Sequence, residues 1–200
     1  MPRCGFRRDR FCTLEMDAPV NALVIIDMQC GFIEGDQAIP DAGSVRRSVH
    51  TLVHAARRAE ALVVHLQNDG PTSAVDAPGS AGWQLWAHFG PDDVVVRKST
   101  DDAFEGTVLG ALLEERGVRA IAVCGVLSEM CVAVTARAAL GRGLRVVIAH
   151  GAHGTYDTPA GEGGSEPVPA AMAARVAEWS LGDQVEIVAS AESVAFAPPR

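Results

Sequence analysis

The chain has 200 residues, 48% of them hydrophobic and 5% aromatic, with a formal net charge of −8. That length suffices for a sizeable core in one globular domain, and an acidic balance without a basic patch argues against nucleic acid as a partner. No apolar run approaches the ~18 residues of a membrane span, so no membrane partner is expected either.

Five cysteines, at positions 4, 12, 30, 124 and 131, are odd in number and contain no C-x-x-C pair. This indicates neither a disulfide framework nor a zinc site, and it suits a reducing cytoplasm. The opening residues carry Arg3, Arg7, Arg8 and Arg10 without the apolar core of a secretory signal. They read as a disordered tail over 1–19, with Met16 an alternative start and a single domain over 20–200.

From Val20 onward strands and helices alternate. The β-branched run Ala22–Ile26 is a buried strand that stops at Asp27, and Met28–Pro40, containing Gly31, Gly35 and Pro40, reads as a loop. Ser44–Glu60 has a helical period and Ala61–Leu66 is the second strand. Gln67–Asp93 is rich in Gly, Pro, Ser and Asp, long for a connection, and so either covers a site or is disordered. Val94–Val96 leads as a strand to Arg97 and Lys98, and a helix near Thr107–Arg116 ends at Gly117. The fourth strand, Ile121–Cys124, breaks at Gly125 before a helix from about Ser128. Leu144–Ala149, a helix over Val168–Leu181 and a last strand over Val185–Ala189 complete the pattern. Such alternation argues an α/β fold with a parallel sheet, in which ligands bind outside the carboxyl ends of the strands.

Three residues at such strand ends stand out. Cys131 is expected in the first turn of its helix, where unpaired N–H groups and the helix dipole would lower a thiol's pKa and favour the nucleophilic thiolate. Asp27 follows the first strand directly, although an acid there can also simply cap a loop. Lys98 is the only lysine among 17 basic residues, which puts the chain's sole compact ammonium at a strand terminus. A free cysteine is more often a small buried hydrophobe, so no one of these residues decides the matter alone.

Together they carry a resemblance. LVIIDMQ around Asp27, VVRKSTDDAFEGT around Lys98 and CGVLSEMCVAVTARAALGRG around Cys131 resemble the three catalytic segments of the isochorismatase-like cysteine hydrolases. That group includes nicotinamidases, carbamoylsarcosine amidases and streptothricin lactam hydrolases. The likeness runs from about Asn21 to Phe196, and the wording from Cys124 to Asp157 is nearest the actinobacterial streptothricin-hydrolase branch. It implies a doubly wound six-stranded parallel sheet of order 3-2-1-4-5-6, with helices on both faces. It also implies Asp27 as general base, Lys98 as its electrostatic partner and Cys131 as nucleophile. A cis Val126–Leu127 peptide would turn the Leu127 N–H, with that of Cys131, into an oxyanion hole. The substrate implied is a small-molecule amide or lactam, cleaved at a C–N bond through a thioester. No cofactor is implied, and family members commonly form homo-oligomers, dimers or larger.

Two departures bear on the substrate. Nicotinamidases carry an Asp-x-His pair and further histidines that hold a metal, whereas Asn68-Asp69 follows the second strand here and no D-x-H occurs, so no metal is expected. True isochorismatases replace the nucleophilic cysteine, which this chain retains, so amide or lactam cleavage is favoured over vinyl-ether hydrolysis. Nicotinamidase or isochorismatase activity remains the alternative within the family. Outside it stand an inert binding or assembly module and a thiol redox sensor. Phe32, Gln67, Trp83, Trp86 and Tyr156 are candidates to line the pocket, though tryptophan is as often a packing anchor. The loop acids Glu34, Asp36, Asp69 and Asp157 read first as solvated charges.

Overall fold

The protein is described from a computed structural model that covers residues 18–86 and 90–199. The expected tail over 1–19 lies outside these residues apart from its last two. Six strands form one sheet: β1 (Ala22–Ile26), β2 (Leu62–Asn68), β3 (Val94–Lys98), β4 (Ala120–Val126), β5 (Arg145–Gly154) and β6 (Val185–Val188). Their order is β3-β2-β1-β4-β5-β6 and every pairing is parallel. The helices are α1 (Cys30–Ile33), α2 (Ala42–Arg58), α3 (Leu109–Glu115), α4 (Ala133–Gly141) and α5 (Ala170–Ser180).

Burial on both faces explains why the central strands are continuous apolar runs rather than alternating ones. Odd-numbered β1 residues such as Leu23 and Ile25 pack with Val45, Val49 and Leu52 of α2. Even-numbered ones, Val24 and Ile26, pack with Leu109 of α3 and Ala136 of α4. The sheet is thus doubly wound, as expected. Among the described residues no helix is long and apolar enough to cross a membrane.

Several boundaries differ from expectation, and the fourth strand runs through Gly125 to Val126 rather than breaking there. β2 continues past Leu66 to Asn68 and β3 includes Lys98, because Gln67 and Asn68 stay in register with Arg97 and Lys98 although their side chains are polar. β5 runs to Gly154: while β4 advances from Val123 to Gly125, its partner advances from Ile148 to His153, so an irregularity inserts residues that read as loop. The expected loop after Asp27 contains α1. The turn over Ser128–Val132 is π-helical, with Met130 at φ −101° and ψ −109°, and the regular helix begins only at Ala133.

The long 67–93 connection is tied to the chain after β1 as far as it is described. Cys30 N–H donates to Gln84 O at 2.8 Å, Gly31 N–H to Gly82 O at 2.8 Å and Trp86 N–H to Met28 O at 2.9 Å. Gln29, fully buried, is the peg. Its Nε2 donates to the carbonyls of Asn68 and Trp83 at 3.0 and 3.1 Å, and its Oε1 accepts from Asn68 N–H at 2.8 Å.

Candidate active site

Parallel register brings the carboxyl ends of β1, β3 and β4 to one edge, and the three singled-out residues meet there. Lys98 Nζ lies 2.8 Å from Asp27 Oδ2 and donates to Cys131 Sγ at 3.3 Å. It also donates to Asn68 Oδ1 at 3.1 Å and to Thr100 O at 3.2 Å, so a buried ammonium is surrounded by acceptors. Cys131 Sγ in turn donates to Asp101 Oδ1 at 3.4 Å. The Asp101 backbone is held to α4 through Thr135, whose hydroxyl donates to Asp101 O and accepts from Ala103 N–H.

Two backbone features make this convergence possible. Asp27 adopts φ 50°, a left-handed conformation that costs a residue with a side chain about 1–3 kcal/mol and persists only where its surroundings hold it. Gly125 has φ 118°, and a Cβ there would meet Ile26 O at 2.0 Å, so only glycine lets β4 pass the end of β1. The Val126–Leu127 peptide that follows is cis. Leu127 N–H donates no hydrogen bond to another described residue.

Burial pushes the Asp27 carboxyl up to about 6, against the downward pull of Lys98. Burial works against the Lys98 ammonium too, but the Asp27 carboxylate, with the hydrogen bonds to Asp27 and Cys131, outweighs it and holds the lysine above its usual value. The Cys131 thiol is raised well above the ordinary cysteine range, first by burial and then by the Asp27 carboxylate, with Lys98 opposing. The expected lowering of this thiol is therefore corrected. Cys131 sits in the irregular π-helical turn rather than in the first turn of a regular helix, and desolvation dominates. The resting arrangement is a neutral thiol beside an Asp27–Lys98 ion pair. Asp27 Oδ1 is buried and receives no hydrogen bond among the described residues, which leaves it open to accept a proton.

A family profile described as Isochorismatase domain matches residues 21–176. The chain belongs to the isochorismatase family. A streptothricin hydrolase of Streptomyces noursei is 58% identical over 181 residues, covering 90% of this chain and 72% of that protein. An N-carbamoylsarcosine amidase from Thermoplasma acidophilum superposes with a TM-score of 0.63 at 26% identity, covering 66% of this chain and 82% of its own. An isochorismatase from Pseudomonas putida, at 23% identity, shares the fold with a TM-score of 0.80 over 92% of this chain and 94% of its own.

Within this isochorismatase-family hydrolase the other expected pocket residues are placed less uniformly. Gln67 alternates away from Lys98, and its Nε2 donates to Trp83 O at 2.9 Å. Phe32, Trp86 and Tyr156 pack against the α2-side cluster, on the other face of the sheet from Cys131. The Tyr156 hydroxyl donates to Gln37 O, and the Trp86 ring lies under Arg46 and lines a depression along α2 with His50, Val53 and His54. Trp83 donates from Nε1 to Asp69 Oδ1 at 2.9 Å and stacks on Arg97. Glu34 and Asp69 pair with Arg46 and Arg97, and Asp157 accepts the Ala170 N–H that opens α5. Among the described residues no group of three His, Cys, Asp or Glu is placed to hold a metal ion.

Sequence reasoning missed three polar residues that matter here. Asn68, read as a departure, bridges Lys98 to Asp76 by donating from Nδ2 to Asp76 Oδ2 at 2.6 Å. Asp76 is buried with its carboxylate against Gly70, where a Cβ would lie 2.0 Å from Oδ1. Its charge reaches the centre, raising both Asp27 and Tyr156. Asp101 is the third. The doubled acid three residues after Lys98 was a signal for it; for Asp76, inside a Gly- and Pro-rich loop, there was none.

Proposed function

We propose that this family member hydrolyses a C–N bond of a small-molecule amide or lactam, with the streptothricin lactam as substrate, through a Cys131 thioester. The observation that carries the reading is the single buried ammonium of Lys98 in contact with both Asp27 Oδ2 and Cys131 Sγ. The identity of 58% to a streptothricin hydrolase supports the substrate.

In the proposed course, Asp27 takes the thiol proton as Sγ attacks the carbonyl carbon. Lys98 stabilises the charge that develops on sulfur and keeps Asp27 ionised until that moment. The Leu127 and Cys131 N–H groups receive the oxyanion, at about 3–4 kcal/mol of barrier per donor. Asp27 then gives its proton to the nitrogen as the C–N bond breaks, leaving a thioester. Water, deprotonated by the same carboxylate, displaces the thiol and releases the acid. A raised thiol pKa fits this route, because the proton leaves during attack rather than before it.

The three described cysteines are free thiols, which suits a cytoplasmic setting. A homo-oligomer, dimer or larger, is supported by Met172, Val176 and Trp179, exposed along one side of α5.

Incubation with streptothricin, followed by mass spectrometry, tests the reading. Gain of one water by the antibiotic, absent with Cys131→Ala, is the expected result. Release of ammonia from primary carboxamides with streptothricin untouched would overturn the lactam and keep the amidase. Turnover by Cys131→Ala would remove the thioester route.

A further inference from the structure

A second hydrogen-bonded array lies behind the reacting groups. Ser128 Oγ is 2.8 Å from His153 Nδ1, and His153 Nε2 is 3.1 Å from Glu178 Oε1. All three residues are buried. The same Glu178 oxygen is 2.7 Å from Nδ1 of the exposed His150, and Arg175 lies 3.7 Å from its other oxygen. The order of groups resembles that of a serine hydrolase, but Ser128 is only 1% exposed and no substrate carbonyl can reach it.

We propose that Ser128, His153 and Glu178 form a positioning relay that holds the Leu127 amide in place for the oxyanion. Ser128 follows Leu127 directly, inside a turn whose backbone ties to Leu127 among the described residues run through its carbonyl, from Met130 and Val132. The ladder holds the preceding Val126 against Gly154 but gives the Leu127 N–H itself no bond among the described residues, so the Ser128 side chain anchors this peptide from its other side. The histidine hydrogen bonds hold Glu178 below the usual carboxylate range despite its burial. An ionised Glu178 can only accept, so His153 donates to it from Nε2. Nδ1 pairs with the Ser128 hydroxyl at 2.8 Å, which fixes the serine rotamer and the turn it belongs to. α5 and the irregular end of β5 thereby bear on the reaction without touching substrate.

The relay rests on the proposed role of the Leu127 N–H, and its test separates the two. Hydrogen exchange of the 127–131 amides needs no substrate. It should quicken about tenfold or more in Ser128→Ala and in Glu178→Ala, while the β1 and β2 amides keep their protection. The double variant should be no worse than either single one, because both break the same chain, whereas Glu178→Gln, which keeps an acceptor for Nε2, should stay near the parent. On streptothricin each alanine variant should lose about tenfold in kcat with KM unchanged. Unchanged exchange at 127–131, additive losses, or exchange rising equally throughout the sheet would overturn the relay. If exchange responds as stated but streptothricin is not hydrolysed, the relay stands and the substrate falls.

Discussion

Lys98 Nζ and Asp27 Oδ2 are 2.8 Å apart with side chains 0% and 4% exposed, so neither charge is compensated by water. Removing one partner of such a pair strands the other in a low dielectric. In this site, moreover, the ammonium is what opposes the upward push of burial on Asp27.

The acid limb of kcat/KM should therefore fall near pH 6, where Asp27 ionises. Protonated Asp27 cannot take the thiol proton, so activity is lost as the pH drops through that value. Lys98→Met removes the lowering influence and should move the limb to higher pH, with activity at its optimum reduced at least ~100-fold. A pH profile of both proteins on one substrate checks this; an unmoved limb in Lys98→Met would detach Asp27 from it.

Alkylation of Cys131 gives a sign that differs from that of an activated thiolate. Burial and the Asp27 carboxylate both raise the thiol, so the parent should react with iodoacetamide at a pH midpoint above that of free cysteine. In Asp27→Asn one raising influence disappears while Lys98 remains. The midpoint should fall, and turnover should vanish for want of a base. A parent midpoint below free cysteine would mean that the thiolate is preformed.

How far the sequence reached follows from what kind of interaction each residue uses. The runs Ala22–Ile26 and Ile121–Cys124 had to be buried strands because nothing else covers so much apolar surface in so few residues. Parallel topology then forces their carboxyl ends to one edge, which is why Asp27, Lys98 and Cys131 could be grouped without any contact in view. Asn68, Asp76 and Asp101 act through loop closures between distant segments, and no local pattern encodes those. The thiol's ionisation went the other way for a related reason. Helix dipoles can be read from spacing, whereas the depth of burial at Cys131 and the π-helical turn that carries it depend on the assembled core. Trp86 and Phe32 stood out by size as candidates to line a pocket, and both also pack against the core cluster that contains Val45, Val49 and Leu52 of α2.

Gly125→Ala tests the close passage of β4 over the end of β1. The added Cβ would lie 2.0 Å from Ile26 O, a backbone atom that cannot swing aside, at a φ of 118° that disfavours any side chain. The variant should lose about 3 kcal/mol or more of stability by denaturant titration, or fail to accumulate as folded protein. A loss under 1 kcal/mol would mean that β4 has room to shift.

Gln29 should behave as a functional residue although it touches none of the reacting groups. Its side chain satisfies Asn68 N–H and Asn68 O on one side and Trp83 O on the other, all within a buried seam. Trp83 O keeps a second donor in Gln67, but the Asn68 peptide loses both of its partners in Gln29→Ala. Leaving buried peptide groups unpaired costs about 2–3 kcal/mol, which sets the expected drop in stability. The larger consequence is positional. Asn68 is the residue that hands Lys98 on to Asp76, so freeing its backbone loosens an acceptor of the Lys98 ammonium as well as the loop over 67–86. Gln29→Ala should therefore lower kcat as well as stability, and Gln29→Glu, which keeps the acceptor but loses both donated bonds, should fall between the two. Kinetics taken well below each variant's unfolding transition separate the effects; a kcat equal to the parent's at full folding would confine Gln29 to holding the loop.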